Sequence, residues 1–301
     1  MAVTAATQTG DFSGFLKPDQ AQAYFDQAQK SSVVQSLARK VPLGINGVEV
    51  PVVTSKPTAG WVAEAGQKPA TQGALGLKSM TPKKIAAIAV VSAEVVRANP
   101  GNYISILRND IAEAFALAFD AATMHGTNSP FGAGQNIDAT TKAVELGTAT
   151  VATGGIYADV NAGLSLLVAA KKKLTGFAFD SIMEPTFNGA VDLNGRPLFV
   201  SEPYAGSALQ AGRLLGRSAF MGDGVATSDG KAVVGYGGDW SQAVWGAVGG
   251  ITYDVSTEAT VTINGTLTSL WEHNLVAIRA EAEYGFLLND AESFVKYTNA
   301  A

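Results

Sequence analysis

The chain has 301 residues, of which 47% are hydrophobic, 16% are charged and none is cysteine, and its formal net charge is −5. An apolar content this high excludes a disordered chain, and the length allows one large or two medium domains with a real core. Without cysteine there are no disulfides or thiolate sites, and the acidic balance argues against tight binding to a nucleic-acid backbone, which requires clustered Lys and Arg.

The sequence has neither the pattern of a secreted protein nor that of a membrane protein. The opening MAVTAATQTGDF lacks the basic and apolar regions of a signal peptide, and no apolar run approaches the ~20 residues that span a bilayer. The low charge content is unusual for the surface of a soluble monomer. We therefore expect partners to cover part of the surface.

The pattern of the first 90 residues predicts an arm, a strand and a long loop that extend away from the rest of the chain. Residues 1–46 are polar, with a possible helix from Asp19 to Arg39, and GVEVPVV (47–53) alternates like a strand. Thr54 to Pro82 is then rich in Gly, Ala, Pro and Thr without a regular period, which predicts a long loop or irregular hairpin of the kind that is usually functional.

One tryptophan, Trp61, stands inside that segment, in KPTAGWVAEAGQKP (56–69). An indole buries about 150–250 Å² when covered, and the segment has too few apolar residues to do so. We therefore predict that another surface covers Trp61. A second apolar run, KIAAIAVVSAEVV (84–96), leads out of the loop.

The strongest helical pattern follows, between Pro100 and Gly126. Its apolar residues recur at spacings of three and four and are Ile104, Leu107, Ile111, Ala114, Phe115, Ala118, Phe119 and Ala122. Such a stripe predicts an amphipathic helix with one core-facing side, and the flanking Pro and Gly suit its first turn and its exit. The helix should run from about 101 to 124.

The rest of the chain predicts a mixed α+β fold. A helix at 157–176 precedes the strand-like FAFDSIMEP, and from Lys231 onward the pattern is mostly strand-like. Two long apolar runs flank a turn at Asn264 and Gly265, which predicts a long antiparallel ribbon. GYGGDW (235–240) and MGDGVATSDG (221–230) are interpreted as hairpin turns.

No motif predicts a catalytic, cofactor-binding or metal site. His125 and His273 lack metal-ligand spacing, and the glycine-rich stretches do not lead from a strand into a helix as phosphate-binding loops do. We expect His125 to be a helix-end residue and His273 a surface residue. A cytoplasmic α/β enzyme that uses scattered Asp and Glu residues remains an alternative.

In chain order these elements resemble the Hong Kong 97 fold of tailed-bacteriophage major capsid proteins, which encapsulin nanocompartments and herpesvirus capsid floors share. The resemblance covers nearly the whole chain from about residue 20. The stretches that carry it are AGWVAEAGQKP, LKSMTPKKIAAIAVVSAEVVRANP, IAEAFALAFDAATMHGTN, AAKKKLTGFAFDSIMEP, VGYGGDWSQAVWGAVGGITYDVS and LVAIRAEAEYGF.

The resemblance implies four structural regions. They are an N-terminal arm at 1–46, an extended loop at 54–88, a peripheral domain at 47–53, 89–154 and 243–287, and an axial domain at 155–242 and 288–301. The peripheral domain would combine the long helix with the antiparallel ribbon. The extended loop would lie over a neighbouring subunit, and axial contacts would form pentamers and hexamers.

The function that the resemblance implies is structural and not enzymatic. The chain would be a major capsid protein, assembled in the bacterial host cytoplasm into the icosahedral capsid of a virion around weakly contacted double-stranded DNA. Because the chain opens almost directly on the arm, scaffolding would be either a separate protein or unnecessary. Portal and decoration proteins would be further partners. An encapsulin-like shell around an enzyme cargo is the alternative within the fold.

Several residues are candidates for contacts between subunits. Trp61 and Glu64 would contact a neighbour, and Lys56 and Lys68 are possible ion-pair partners in the same loop. The charges near the peripheral domain are Arg97 and Arg279. Some members of the family crosslink a loop lysine to a ribbon asparagine, for which Lys78 and Asn264 are the candidates, although the acid that assists this reaction has no secure counterpart here.

Overall fold

The computed structural model describes residues 32–64, 66–99, 103–150, 153–190, 199–202, 210–227 and 233–299. The α-helices in these ranges are α1 (Val33–Leu37), α2 (Ala93–Ala98), α3 (Tyr103–Met124), α4 (Gly155–Ala169) and α5 (Glu184–Asn188). The first eight strands are β1 (Arg39–Lys40), β2 (Val48–Ser55), β3 (Ala74–Met80), β4 (Lys83–Ser92), β5 (Ala143–Leu146), β6 (Gly176–Phe179), β7 (Val200–Glu202) and β8 (Gln210–Leu214). The remaining strands are β9 (Arg217–Met221), β10 (Val233–Gly238), β11 (Ala243–Ala247), β12 (Thr252–Ser256), β13 (Thr260–Ile263), β14 (Thr266–Ser269), β15 (Leu275–Leu288) and β16 (Phe294–Asn299).

Strand β15 organises the first of two large sheets. It pairs antiparallel with β11, β12 and β4, and β1 adds parallel to β11. The predicted antiparallel ribbon is therefore confirmed. Its turn at Asn264 and Gly265 is also confirmed, because both residues have the positive φ that a tight β13–β14 turn requires (51° and 79°).

Helix α3 confirms the predicted amphipathic helix; residues 101 and 102 lie outside the described ranges. Ile111 and Phe115 form a cluster with Ala280 and Ala282 of β15, so the predicted stripe faces this sheet. Asp120 and Thr123 are also buried, on a second side of the helix that the apolar pattern does not indicate. Helix α1 contacts α3 there, which explains the additional burial.

The second large sheet has the strand order β5-β16-β10-β6-β9-β8-β7. Its core is dominated by packed aromatic rings from β6, β16 and α5, chiefly Phe177, Phe179, Tyr297 and Phe187. The interpretation of GYGGDW as a hairpin turn is wrong, because 235–238 lie inside the buried strand β10. Glycine is used there because the neighbouring rings occupy the space of a side chain.

The second predicted hairpin turn, MGDGVATSDG, is also wrong. Strands β9 and β10 on either side of it are not neighbours, since β6 lies between them and pairs with both. The connection must therefore cross from one position in the sheet to another. Residues 228–230 of this stretch lie outside the described ranges.

Strand pairing divides the chain differently from the ranges implied by the resemblance at three places. Residues 83–88 pair with β15, residues 48–53 pair with β3 and with no other described strand, and β5 pairs with β16 of the second sheet. Each difference arises because hydrogen-bonded partners lie far apart in the sequence. Residues 1–31 of the predicted arm, with most of the predicted helix from Asp19 to Arg39, lie outside the described ranges.

Candidate subunit contact surfaces

The hairpin formed by β2 and β3 projects the segment with Trp61 away from the two large sheets. The strands pair from Val48 opposite Met80 to Ser55 opposite Ala74, with a shift of register between Val53 and Ser55. Among the described strands, β2 and β3 pair only with each other. We call residues 56–73, which join their far ends, the Trp61 loop. The Trp61 indole is fully exposed, so no described residue of its own chain covers it.

One face of this hairpin is apolar and exposed. In the observed register Pro51 lies opposite Leu77 and Val53 opposite Leu75, so all four side chains point to the same side. Leu75 and Leu77 are 75% and 67% exposed. Because an isolated two-stranded hairpin is marginal in water, this apolar face requires a covering surface from elsewhere.

The root of the hairpin is anchored to the first sheet. Met80 is buried in a small cluster with Leu43 and Leu287. The Lys78 ammonium donates a hydrogen bond to the Asn289 carbonyl oxygen at 2.7 Å. These contacts fix the direction in which the hairpin leaves the sheet.

The charged residues of the Trp61 loop are all at the surface. Lys56, Glu64 and Lys68 are exposed, and none of them forms an ion pair with another described residue. Their proposed contacts with a neighbouring subunit remain predictions, because a single chain does not test them.

The two predicted arginines lie at separate places on the first sheet. Arg97, at the end of α2, is 3.8 Å from the Glu94 carboxylate. Arg279, on β15, donates to the Asp254 carboxylate at 2.7 Å and lies 3.5 Å from that of Glu281. Both pairs are exposed, so solvent screens the attraction between their charges. Their role between subunits remains a prediction.

The possible crosslink pair consists of residues from two different hairpins. Asn264 lies at the β13–β14 turn, whereas Lys78 belongs to β3 and holds the Asn289 carbonyl. A crosslink of this kind would join different copies of the chain, so the pairing remains a prediction.

Sequence reasoning missed a buried carboxylate that holds the start of the described chain. Asp120 of α3 accepts hydrogen bonds from Ser32 Oγ at 2.5 Å, Val33 N at 2.8 Å and Val34 N at 3.3 Å. Burial raises the pKa of the Asp120 carboxyl to about 7, although these three donors oppose the change. The signal available in the sequence was the position of Asp120, an acidic residue within an otherwise apolar helical stretch.

A polar network at the end of α3 was also missed. His125 Nδ1 lies 2.8 Å from the Tyr236 hydroxyl, which lies 3.5 Å from Asp138 Oδ1, and the Lys296 ammonium lies 3.2 Å from that oxygen. Burial lowers the pKa of His125, while Asp138 and the carbonyls of Gly224 and Val225 oppose this. The network joins the helix to β10 and β16.

Acid is expected to destabilise the subunit through His125. Since its folded pKa is lowered, the unfolded chain binds the proton more readily, and the stability present above pH ~6.5 is lost as the pH falls further. Thermal unfolding of dissociated subunits between pH 7.5 and 5 should show a steeper fall for the wild type than for His125→Gln. The exposed His273→Gln is the control, and parallel curves for wild type and His125→Gln would contradict the assignment.

The described ranges contain neither a metal-binding cluster nor a membrane-spanning helix. These ranges contain no cluster of three or more His, Asp or Glu side chains placed to hold a metal ion. None of the described helices has the length and hydrophobicity needed to cross a membrane.

Comparison with known proteins gives a consistent result. The phage capsid family matches residues 13–299. Probable major capsid proteins of Mycobacterium phages D29 and L5 are both 47% identical, over 97% of this chain and 93% and 92% of theirs. A solved structure from Gordonia phage Cozz superposes with a TM-score of 0.70 at 24% identity, covering 95% of this chain and 91% of that one.

Proposed function

This chain belongs to the phage capsid family and is a phage major capsid protein, and we propose that it assembles through pentamers and hexamers into an icosahedral shell that packages double-stranded DNA. Its fold is of the Hong Kong 97 type. The observation that carries the assembly proposal is the fully exposed Trp61 at the end of a hairpin with an exposed apolar face. Such a surface is stable when a neighbouring copy covers it.

The hairpin suits a shell better than a compact dimer. It reaches outward from its root at Met80, so each copy can contact a neighbour and be contacted by another. A contact that repeats around a closed shell gains strength from the number of copies, even when each contact is weak. The proposed contact residues are Trp61 and Glu64, with Lys56, Lys68, Arg97 and Arg279 as charged contributors.

The regions implied by the resemblance remain part of the proposal, with the boundaries adjusted to the observed pairing. We propose that the hairpin and its loop are the extended loop, that the sheet around β15 with α3 is the peripheral domain, and that the seven-stranded sheet with α4 is the axial domain. The segment before Ser32 would be the N-terminal arm.

The remaining assignments concern the contents and surroundings of the shell. A phage capsid is favoured over an encapsulin-like compartment because the 47% identical relatives are named as phage capsid proteins. We propose a structural role without catalysis, weak contact with packaged DNA in keeping with the net charge of −5, and assembly in the host cytoplasm. Scaffolding, portal and decoration proteins would be separate chains.

Substitution of Trp61 is expected to impair assembly and spare the subunit. Because the indole is exposed in its own chain, Trp61→Ala should leave the unfolding temperature of free subunits unchanged. Loss of a central aromatic contact costs about 2 kcal/mol or more, which is roughly a 30-fold rise in the concentration needed for assembly. Electron microscopy and size-exclusion chromatography of purified protein measure shell formation.

Trp240→Ala is the matched control for the subunit. Trp240 is buried, and its indole N–H donates to the Gly176 carbonyl at 3.0 Å, so this variant should lose stability directly. If Trp61→Ala lowers the unfolding temperature of free subunits as much as Trp240→Ala does, the contact role of Trp61 is wrong. Wild-type protein that stays monomeric or dimeric under every assembly condition would overturn the shell itself.

A further inference from the structure

Three positively charged side chains are exposed where helix α4 ends and strand β9 begins. They are Lys171 and Lys173, in the connection from α4 to β6, and Arg217, the first residue of β9. Arg217 Nε donates a hydrogen bond to the Leu174 carbonyl oxygen at 2.7 Å, which places the guanidinium beside the lysine segment. We call Lys171, Lys173 and Arg217 the cationic patch.

The charges of the cationic patch are not neutralised within the subunit. No carboxylate in the described ranges forms an ion pair with any of the three. The Asp290 carboxylate pairs with Lys172 at 2.5 Å, and Asp239, just after β10, accepts hydrogen bonds from Ser241 N and Oγ. The cationic patch is therefore a positive surface on a chain whose net charge is −5.

The backbone at Lys171 shows that a side chain is kept there at a cost. Lys171 follows the last turn of α4 and has a φ of 56°. Its N–H donates to the Val168 carbonyl oxygen at 2.9 Å. The Lys172 N–H donates to the Leu167 carbonyl oxygen at 2.8 Å, which completes a helix ending whose left-handed position glycine usually occupies. Because lysine adopts this conformation less readily than glycine, stability alone does not explain the residue.

The dipole of α4 accounts for only part of the cationic patch. Cations near a helix C-terminus are stabilised by the dipole, but the effect is confined to the last turn. Arg217 belongs to a strand and still shares the site with the two lysines. A negatively charged partner from outside the subunit explains all three charges together.

The chemistry of the cationic patch fits the phosphate backbone of DNA. The exposed residues next to the charges are Thr175, Gly216 and Ser218, which are small or polar. Phosphate contacts use cations with hydroxyl and amide donors, whereas the centre of a protein interface is more apolar. Double-stranded DNA carries one negative charge per ~1.7 Å of its axis, so three cations can meet adjacent phosphates.

We infer that the cationic patch contacts the phosphate backbone of double-stranded DNA. This inference rests on the proposed function and names the surface through which the packaged DNA is contacted. Three charges make a weak site in each copy, in keeping with the acidic chain as a whole. Repetition of the site over many copies would hold the DNA without preventing its release.

An NMR titration of free subunits with a DNA duplex of about 30 base pairs tests the site residue by residue. The amide signals of residues 171–175 and 216–218 should shift as DNA is added. The apparent affinity should fall about 40-fold between 50 and 200 mM salt, the loss expected for three phosphate contacts. Shifts that are absent, or that occur around Lys83 and Lys84 instead, would overturn the inference.

Lys171→Gly separates the charge from the fold. Because glycine suits the left-handed position, this variant should unfold at the same temperature as the wild type or higher. Its slope of log affinity against log salt should nevertheless become shallower by about one, as should the slopes of Lys173→Gln and Arg217→Gln. Lys83→Gln removes an exposed charge elsewhere and should keep the wild-type slope. Wild-type slopes in all three patch variants would contradict the contact.

Shell formation distinguishes this inference from the proposed function. If shells form and the patch variants bind DNA as the wild type does, the inference alone is wrong. If the patch variants bind DNA normally but fail to assemble without DNA, the patch contacts an acidic surface of another copy, and the inference is again wrong. If the wild type binds DNA through the cationic patch and forms no shells, the proposed function alone fails.

Discussion

Asp120→Ala is expected to lower the free energy of unfolding by about 3 kcal/mol. The substitution removes the acceptor for Ser32 Oγ, Val33 N and Val34 N, all of which are buried. A buried donor without a partner costs about 1–3 kcal/mol. Removal of the buried carboxyl offsets part of this loss, because its own desolvation cost disappears. Helix α1 should then detach from α3.

The same carboxyl gives the subunit a distinct dependence on pH. The folded Asp120 keeps its proton up to about pH 7, whereas an unfolded Asp releases it near pH ~4. The folded state therefore binds more protons between these values, and the stability that Asp120 contributes below pH ~4 is lost as the pH rises to about 7. This is opposite in sign to the effect expected for His125.

Two measurements on free subunits test these expectations for Asp120. Hydrogen exchange should show reduced protection of the Val33 and Val34 amides in Asp120→Ala, and thermal unfolding should show the loss of stability. Asp120→Asn should remove the part of the pH dependence between about 4 and 7 that comes from this carboxyl and leave the opposite contribution of His125. Asp110, exposed on the same helix, is the control, and an equal effect of Asp110→Ala would contradict the anchoring role.

Local patterns predicted the elements whose signals lie within a few residues. The spacing of Ile111, Phe115 and Phe119 indicated α3, and the paired turn residues Asn264 and Gly265 indicated a tight hairpin. The isolation of Trp61 among small and polar residues was enough to predict that its own segment would leave it uncovered. In each case the determining contacts are local, so sequence periodicity or composition reports them.

Contacts between distant residues could not be predicted in this way. Asp120 and Ser32 are 88 positions apart, and β4 meets β15 nearly 200 residues later in the chain. No periodicity in the sequence indicates which strands become neighbours. For this reason the limits of the sheets differ from the domain ranges that the resemblance implies.

Glycine in β10 shows how a local signal can mislead. GYGG suggests a turn because glycine is common in turns, yet these residues lie in the middle of a buried sheet. A Cβ atom at Gly235 would lie 2.1 Å from the Phe179 ring. The glycines therefore reflect the size of their aromatic neighbours, which a local pattern cannot show.

Phe179→Ala is expected to destabilise the subunit by about 3–5 kcal/mol, the range for a buried Phe reduced to Ala. The ring is fully buried and packs against Phe187 at 4.7 Å and Tyr297 at 5.4 Å between ring centroids. Its loss would leave a cavity lined by rigid rings that cannot easily close. Chemical denaturation of free subunits measures the change, and the exposed neighbour Ile182→Ala should stay within about 0.5 kcal/mol of the wild type.

The partner substitution distinguishes a specific packing from a general loss of hydrophobic area. Gly235→Ala alone should cost about 1–3 kcal/mol, because its methyl group would overlap the Phe179 ring. When Gly235→Ala is combined with Phe179→Ala, the smaller side chain at position 179 makes room for that methyl group. The combined loss of stability should therefore be smaller than the sum of the two single losses. Compensation should remain incomplete, since the added Cβ would still lie 2.8 Å from the Ala178 carbonyl oxygen. Simple additivity of the two losses would show that Gly235 and Phe179 are not coupled and that the strand needs glycine for another reason.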